Sequence, residues 1–168
     1  QVTHAGVCHS DLHLWHGYYN MGGGKRMVLS DRGVTLPRAP GHEVVGRVVR
    51  IGPDVRGVKV GDHRIVFPWL GCGHCSVCNA GQDNLCNQPF AIGVRQDGGY
   101  GNEVKVPHPR FLVDFGEVDP AFAATLACSG ITVYSAIRKL APMSPEEPVV
   151  LFGAGGLGLA AIGMLQAM

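Results

Sequence analysis

Four closely spaced cysteines constrain the fold of this 168-residue chain more than any other feature. They are separated by two, two and seven residues, the close spacing with which a loop wraps a tetrahedral metal ion. These cysteines are Cys72, Cys75, Cys78 and Cys86. Because four thiolates fill the coordination shell of zinc and leave no position for water or substrate, we predict a structural zinc lobe here.

Two other uses of these cysteines are disfavoured. Cysteines this close in sequence pair poorly as disulfides, and nothing else in the chain indicates secretion. An iron–sulfur motif of the ferredoxin type reaches its fourth cysteine sooner and follows it with proline, whereas here Asn87 follows Cys86. Structural zinc is therefore the preferred interpretation.

Composition narrows the function classes. The chain is 46% hydrophobic and 16% charged, which indicates a globular protein, and its net charge is +1. Without a basic run we expect no nucleic-acid partner and no anionic membrane surface. Residues 149–168 carry no formal charge, but their five glycines fit a membrane span poorly, so we expect no membrane partner. Reduced thiols held for metal favour the cytoplasm.

The first part of the chain reads as short strands separated by turns, which favours a compact, mostly β domain up to about Val113. Residues 14–40, rich in glycine and aromatics, are expected to form a loop or lid. The expected strands are 2–7, 44–51, 64–68 and 102–106.

After Asp119 the sequence becomes helical, with helices expected at 121–126 and 132–140. The apolar run 149–152 predicts a strand buried on both faces of a parallel sheet. A G-x-G-x-x-G motif and an apolar helix follow, and in that context the motif predicts a dinucleotide diphosphate at the helix N-terminus. Its glycines are Gly153, Gly155, Gly156 and Gly158. The acidic residue that would contact the ribose is expected beyond Met168, so the motif leaves NAD and NADP open.

Two cysteines, Cys8 and Cys128, lie outside the lobe. With His42 they would supply two thiolates and one imidazole, a set that leaves a fourth zinc position free for water or substrate. Buried free thiols and an ordinary hydrogen-bonded histidine are the alternatives. Glu43 could be a surface carboxylate or a group beside a metal.

The polar residues that follow Cys8 indicate a site. They also fit the start of a helix, with Ser10 or Asp11 as the N-cap, and both interpretations can hold together.

Taken together, the sequence resembles a zinc-dependent alcohol dehydrogenase of the medium-chain dehydrogenase/reductase family. The matching stretches, which span nearly the whole chain in family order, are AGVCHSDLH, PGHEVVGRVVRIG, VGDHRIV, GCGHCSVCNAGQDNLC, DGGYGNEVKVP, LACSGITVYSAIRKL and VVLFGAGGLG.

The resemblance implies an α/β fold class with an α+β catalytic part. Residues 1–131 would form a mostly β, GroES-like catalytic domain, and 132–168 the first strand and helix of a Rossmann coenzyme domain. Since family members are considerably longer, both domains would be truncated. The glycine-rich loop 22–37 is similar to that of bacterial and archaeal tetrameric members.

The resemblance also implies two zinc ions per chain, one structural and one catalytic. It makes Cys8, His42 and Cys128 ligands of the catalytic zinc. It makes Glu43 a transient or substitute ligand, and Asp11 the acceptor that orients His42.

Proton transfer and cofactor contacts are implied in the same way. Ser10 lies where the family has its Ser/Thr proton acceptor, and His13 lies where the relay continues to solvent. His9 takes the position that faces the cofactor diphosphate. The candidate walls of the substrate pocket are Trp15, Tyr18 and Trp69.

The implied activity is hydride transfer between an alcohol CH–OH group and NAD(P), which gives an aldehyde or ketone. NAD is the favoured cofactor, and the full-length form is expected to be a homo-oligomer, either a tetramer or a dimer. The alternative is a non-catalytic zinc-binding module without a complete cofactor site. Ser10 and His13 near Cys8 favour the enzyme, because a structural metal needs no proton relay.

Overall fold

The computed structural model of the chain describes residues 1–140, 142, 144 and 146–168. In chain order its strands are β1 (Val2–Gly6), β2 (Tyr18–Asn20), β3 (Arg26–Val28), β4 (Glu43–Arg47), β5 (His63–Val66) and β6 (Leu112–Val113). Strands β1, β4, β5 and β6 form an antiparallel sheet in that order, and β2 pairs with β3 as a separate hairpin. The sheet is thus the centre of the first part of the chain.

The helices are α1 (His9–His16), α2 (Ser76–Asn79), α3 (Pro120–Thr125), α4 (Ile131–Leu140) and α5 (Gly156–Ala167). A π-helical turn, Leu126–Gly130, joins α3 to α4 and carries Cys128. Short 3₁₀ turns occupy Ser30–Arg32, Asp83–Leu85 and Pro109–Phe111. The run from α3 to α4 is therefore one continuous helical segment with a single wide turn.

Both faces of β4 are covered. Because side chains alternate along a strand, Val44 and Val45 point to opposite faces, and both are fully buried. Val44 packs in a cluster with Val66, Leu70, Ile92 and Phe111. Val45 packs against Ile65 and the alanines of the long helical segment, Ala123, Ala124 and Ala127. The alanines allow the helix to lie close to the sheet, which sets the position of the π-helical turn.

The β1–β4 register brings distant parts of the sequence together. Gly6, the last residue of β1, pairs with Glu43, the first residue of β4. Because the strands are antiparallel, Cys8 just after β1 and His42 just before β4 lie at the same end of the sheet.

Several strand predictions are wrong in extent. The expected strand 44–51 ends at Arg47, and no strand forms at 102–106. Backbone hydrogen bonds continue only as far as Val48, which pairs with Gly61 and Asp62, and Asn102, which accepts from Val2. The remaining residues of both stretches line one groove of about 480 Å³. The expected loop at 14–40 contains the β2–β3 hairpin, which turns through three glycines with positive φ, Gly22, Gly23 and Gly24.

The strand expected at 149–152 is also not formed. Its side chains are exposed, Phe152 by 97%, because no other strand of the described residues lies beside it to make a parallel sheet. The helix expected after it is present as α5, and it packs on α4 through Val133, Ile137 and Ala161. The domain boundary expected between residues 131 and 132 falls within the long helical segment and stays a prediction.

Among the residues that the structure describes, one helical segment is long and apolar enough to cross a membrane by length and composition alone, the 21 residues Pro120–Leu140. Its alanines pack on the sheet, as a core helix would, so its apolar character has an explanation within the fold. The stretch 149–168, singled out in the sequence, contains only a shorter apolar helix, Gly156–Ala167.

Candidate metal centres

The four lobe cysteines lie around one point. Their sulfurs are all within 4.8 Å of one another, and the Cys72–Cys78 and Cys75–Cys86 pairs are each 3.9 Å apart. Two Zn–S bonds of about 2.3 Å at a tetrahedral angle would place their sulfurs about 3.8 Å apart. The cysteines are free, so the disulfide alternative is excluded and the geometry fits a closed zinc site.

Backbone N–H groups of the lobe point at sulfur. Cys72 N–H and Gln88 N–H donate to Cys86 Sγ at 3.4 and 3.3 Å, and Cys78 N–H donates to Cys75 Sγ at 3.5 Å. Backbone N–H groups of His74 and Cys75 lower the pKa of Cys72 to about 6. These donors stabilise the thiolate form, which is the form that binds zinc.

The second cluster consists of Cys8, His42, Glu43 and Cys128, whose possible ligand atoms also lie within 4.8 Å of one another. The sulfurs of Cys8 and Cys128 are 3.8 Å apart, the separation that two Zn–S bonds require. Cys8 follows β1, His42 and Glu43 lie at the start of β4, and Cys128 lies in the π-helical turn. The structure therefore brings the expected catalytic ligands together.

His42 gives the sharpest test of whether this cluster fits a metal. Its side chain is completely buried, and neither ring nitrogen makes a hydrogen bond within the described residues. Nδ1 lies 3.3 Å from Asp11 Oδ1, which is ion-pair range without hydrogen-bond geometry. Nε2 likewise has no hydrogen-bond partner in the part of the chain that the structure describes. A buried ring nitrogen close to two thiols is satisfied by a metal ion, so the donor set fits zinc.

Burial and neighbouring charges shift the pKa values of the groups in the metal-free cluster. Although burial of the ring favours its neutral form, the Asp11 carboxylate and the Cys128 thiol raise the pKa of His42 to about 11. Burial raises the pKa of Glu43 and of Cys128. Burial raises the pKa of Cys8, but the contacts with Ser10 and with the imidazole of His42 together outweigh burial, and the pKa is lowered overall.

Asp11 is buried and makes four polar contacts. Its Oδ2 accepts hydrogen bonds from Cys8 N–H and from the Tyr100 hydroxyl, both at 2.9 Å. Its Oδ1 accepts from Gly41 N–H at 3.1 Å and faces His42. The N-cap of α1 is Cys8, so the prediction of Ser10 or Asp11 as N-cap is wrong, because Asp11 serves as the third helical residue, whose carboxylate reaches back to the cap.

The residues expected to carry protons and cofactor lie on α1. Ser10 Oγ is 3.7 Å from Cys8 Sγ. The His13 ring lies between the rings of His9 and Tyr19, with centroids 4.8 and 4.2 Å away. No direct hydrogen bond joins Ser10 to His13 in the described chain, so a relay between them would require a bridging group.

Of the three expected pocket walls, Trp69 borders the metal cluster. Its ring centroid lies 5.6 Å from that of His42, and its Nε1 donates to the Ala127 carbonyl at 3.0 Å. Trp15 is 82% exposed on the outer side of α1. Tyr18 lies in the hairpin under the Arg26 guanidinium. The structure therefore brings only one of the three aromatics to the candidate site.

The glycine motif forms the turn into α5. Gly153 has a φ of +102°, and a Cβ on Gly158 would collide with the Gly153 carbonyl oxygen, so both positions require glycine. Gly155 is the N-cap and Gly156 the first residue of the 12-residue helix. The loop is exposed, and neither of the two metal clusters includes one of its residues.

Sequence patterns missed Tyr100 and Gly41, which both hold Asp11. The available signal was the Gly98-Gly99-Tyr100 turn. Both of its glycines donate backbone hydrogen bonds at 2.8 Å, to the carbonyls of Ala39 and Gly41. Paired glycines such as Gly98 and Gly99 indicate a backbone that packs closely against another segment, although the sequence does not say that this segment is 39–41.

Comparisons with known proteins agree with this geometry. The family described as "Alcohol dehydrogenase GroES-like domain" matches residues 1–116. An NAD-dependent alcohol dehydrogenase of Sulfurisphaera tokodaii is 40% identical over 169 residues, covering 100% of this chain and 47% of the relative. An alcohol dehydrogenase of Geobacillus stearothermophilus is 37% identical over 170 residues, covering 100% of this chain and 46% of that protein.

Solved structures give the same result. The D-arabinose dehydrogenase from Sulfolobus solfataricus has a TM-score of 0.83 and 35% identity, covering 98% of this chain and 48% of its own. The alcohol dehydrogenase from Aeropyrum pernix has a TM-score of 0.79 and 32% identity, covering 98% and 46%. The chain spans about half the length of the curated relatives it matches.

The family match extends over more than half of the chain and includes β1, β4 and the whole zinc lobe. The fold and the two metal clusters are consistent with this match. The chain therefore belongs to the alcohol dehydrogenase GroES-like domain family, as its resemblance to medium-chain alcohol dehydrogenases predicted.

Proposed function

We propose that the protein to which this chain belongs is a zinc-dependent oxidoreductase that moves a hydride between an alcohol CH–OH group and NAD(P). The observation that carries this proposal is the buried His42 Nε2. It has no hydrogen-bond partner among residues 1–140, 142, 144 and 146–168, and it lies in a cluster with two thiols 3.8 Å apart. Relatives named as alcohol dehydrogenases support it.

Cys8, His42 and Cys128 would hold the catalytic zinc, with Glu43 as a substitute ligand. Bound there, zinc would supply a Lewis acid that lowers the pKa of an alcohol hydroxyl. Asp11 keeps the His42 ring in place and fixes which nitrogen is available to the metal. Cys72, Cys75, Cys78 and Cys86 would hold the structural zinc.

Proton transfer is assigned to α1. Ser10, whose hydroxyl is next to Cys8, would accept the proton of the alcohol, and His13 would pass it towards solvent. Trp69 beside His42 would form one apolar wall that excludes water from the reacting carbon.

The nicotinamide cofactor would accept the hydride, and its diphosphate would lie against His9 and the glycine motif, Gly153, Gly155, Gly156 and Gly158. The exposed turn and the free N-terminus of α5 support this assignment. NAD is preferred to NADP because several relatives are named as NAD-dependent.

The substrate class is a small alcohol with its aldehyde or ketone, supported by relatives named for alcohol and for sugar oxidation. A cytoplasmic, homo-oligomeric full-length protein completes the proposal.

The second candidate is a zinc-binding module without catalysis, favoured by the exposed and unpaired run 149–152, which leaves the glycine motif without a sheet behind it.

Elemental mass spectrometry of the purified chain tests the metal assignment. Two zinc ions per chain are expected, and Cys8→Ser and Cys75→Ser should each remove one, from different clusters. Cys8→Ser that keeps as many zinc ions per chain as the wild type contradicts the catalytic site. In the full-length protein, Cys8→Ser should abolish alcohol-dependent reduction of NAD, and normal turnover of that variant would contradict the proposed activity.

A further inference from the structure

Tyr100 contacts the metal site indirectly, through the Asp11 carboxylate. Its hydroxyl oxygen lies 2.9 Å from Asp11 Oδ2 and 3.0 Å from the Gly6 carbonyl oxygen. The hydroxyl carries one proton, and an ionised carboxylate is a stronger acceptor than a backbone carbonyl. The proton is therefore donated to Asp11.

Backbone packing fixes the tyrosine independently of any metal. A Cβ at Gly41 would lie 2.6 Å from ring atom Cδ1 and 2.9 Å from Cε1, so the ring lies against the Gly41 backbone. Tyr100 N–H also donates to the Pro40 carbonyl at 3.0 Å. The hydroxyl is therefore presented from a rigid turn and not from a free side chain.

The same carboxylate faces the histidine. Asp11 Oδ2 takes the Tyr100 hydroxyl and Cys8 N–H, while Oδ1 takes Gly41 N–H and lies 3.3 Å from His42 Nδ1. With donors on both oxygens, the carboxylate cannot rotate about its Cβ–Cγ bond without losing hydrogen bonds.

We infer that Tyr100 is a positioning residue of the metal site: its hydroxyl fixes the Asp11 carboxylate, which in turn holds His42 towards Cys8 and Cys128. This inference rests on the proposed function and adds to it a residue from a turn far away in sequence. Among the described residues Tyr100 makes no hydrogen bond to Cys8, His42 or Cys128, so the effect of its hydroxyl on these ligands is assigned to Asp11.

Tyr100→Phe removes the hydroxyl and keeps the ring that packs on Gly41. Zinc affinity of each cluster is measured by competition with a chromophoric chelator, and the four-cysteine lobe serves as the internal reference. Partners of metal ligands change affinity by about 10- to 100-fold when removed, and Tyr100 is one contact further out, so we expect a loss of about 3- to 10-fold. The lobe should be unchanged.

Tyr134→Phe is the matched control, because it removes the same hydroxyl from a tyrosine that is 45% exposed on α4 and belongs to neither metal cluster. A second readout is the absorption spectrum of cobalt bound in the Cys8–His42–Cys128 cluster. It is obtained by subtracting the spectrum of the cobalt-loaded Cys8→Ser variant, in which only the lobe should bind cobalt. Tyr100→Phe should change this spectrum, and Tyr134→Phe should not.

Asp11→Asn separates positioning from general stability. In that background, adding Tyr100→Phe should have no further effect on zinc affinity, since the path to His42 is already altered. Equal weakening of both clusters by Tyr100→Phe, or an unchanged affinity and spectrum, overturns the inference. A wild-type chain that loads zinc only in the lobe contradicts the proposed metal site itself, which is a distinguishable result.

Discussion

Gly6 is the residue that lets Glu43 reach the metal cluster. The two face each other across the β1–β4 pair, and a Cβ on Gly6 would collide with the Glu43 carboxylate and lie 3.0 Å from its Cβ. Because Gly6 does not have a positive φ, the requirement for glycine here comes from close packing.

Gly6→Ala should therefore destabilise the zinc-loaded chain by about 1–3 kcal/mol, the usual cost of overpacking a buried site. The matched control is Gly163→Ala in α5, where a Cβ meets nothing within 4 Å. That change should stabilise the chain by about 0.5–1 kcal/mol, because glycine is unfavourable inside a helix. Urea unfolding measures both. A Gly6→Ala variant as stable as wild type would show that Glu43 can move aside freely.

Asp11 is the residue on which the orientation of His42 depends most directly. Asp11→Asn keeps the shape of the side chain but removes its charge and replaces one acceptor oxygen with a donor NH₂ group. We expect zinc affinity of the Cys8–His42–Cys128 cluster to fall about 10- to 100-fold, with the lobe unaffected. Chelator competition measures the change, and Asp54→Asn at an exposed position is the control. Equal affinities in the two variants would contradict the role of Asp11.

At the scale of elements, the zinc lobe has little apolar core of its own. Its regular structure is the four-residue α2 and a three-residue 3₁₀ turn, and buried Cys78 and Cys86 lie near their ends. Such a segment depends on its metal for order.

We predict that Cys75→Ser exposes the amides of residues 72–90 to hydrogen exchange while β4 and β5 stay protected, because the sheet has its own core around Val44. Exchange followed by mass spectrometry measures this, with Ser76→Ala as the control in the same helix. Loss of protection across the sheet as well would show that the lobe and the sheet unfold as one unit.

Local patterns predicted those elements whose stabilising contacts are local. The cysteine spacing identified the lobe, and the glycine motif located the start of α5, since both depend on residues close in sequence. The stretches 102–106 and 149–152 have the composition of strands but lack a neighbouring strand, and composition does not reveal a missing partner. The π-helical turn at Cys128 could not be read from sequence either, because Gly130 would sooner predict a helix end than a wide turn inside a continuous helix.

The sequence predicted the candidate metal ligands better than the residues that hold them in position. The ligand set could be found because cysteine, histidine and their family context are informative at single positions. The contacts of Tyr100 and Gly41 with Asp11 join parts of the chain that are distant in sequence, and a tyrosine after two glycines reads equally well as a simple turn.

At the scale of the whole molecule, the proposed zinc ion would compete with a proton for the buried imidazole of His42. In the metal-free chain, the Asp11 carboxylate and the Cys128 thiol overcome the effect of burial and raise the pKa of His42 from 6.5 to about 11. A group whose pKa is raised on folding contributes stability that is complete below about pH 6.5 and is lost as the pH rises towards about 11. In the zinc-loaded chain, His42 is a neutral ligand throughout this interval.

The metal-free chain should therefore lose stability steadily between pH 7 and pH 10, and the zinc-loaded chain should lose much less. Urea midpoints across this interval for the chain with zinc and after chelation measure the difference. Metal-free His42→Gln, which lacks the titrating ring, should lose less than metal-free wild type, and the remaining slope reports the thiols. Parallel curves for metal-free wild type and His42→Gln would show that the histidine does not carry the proton that zinc replaces.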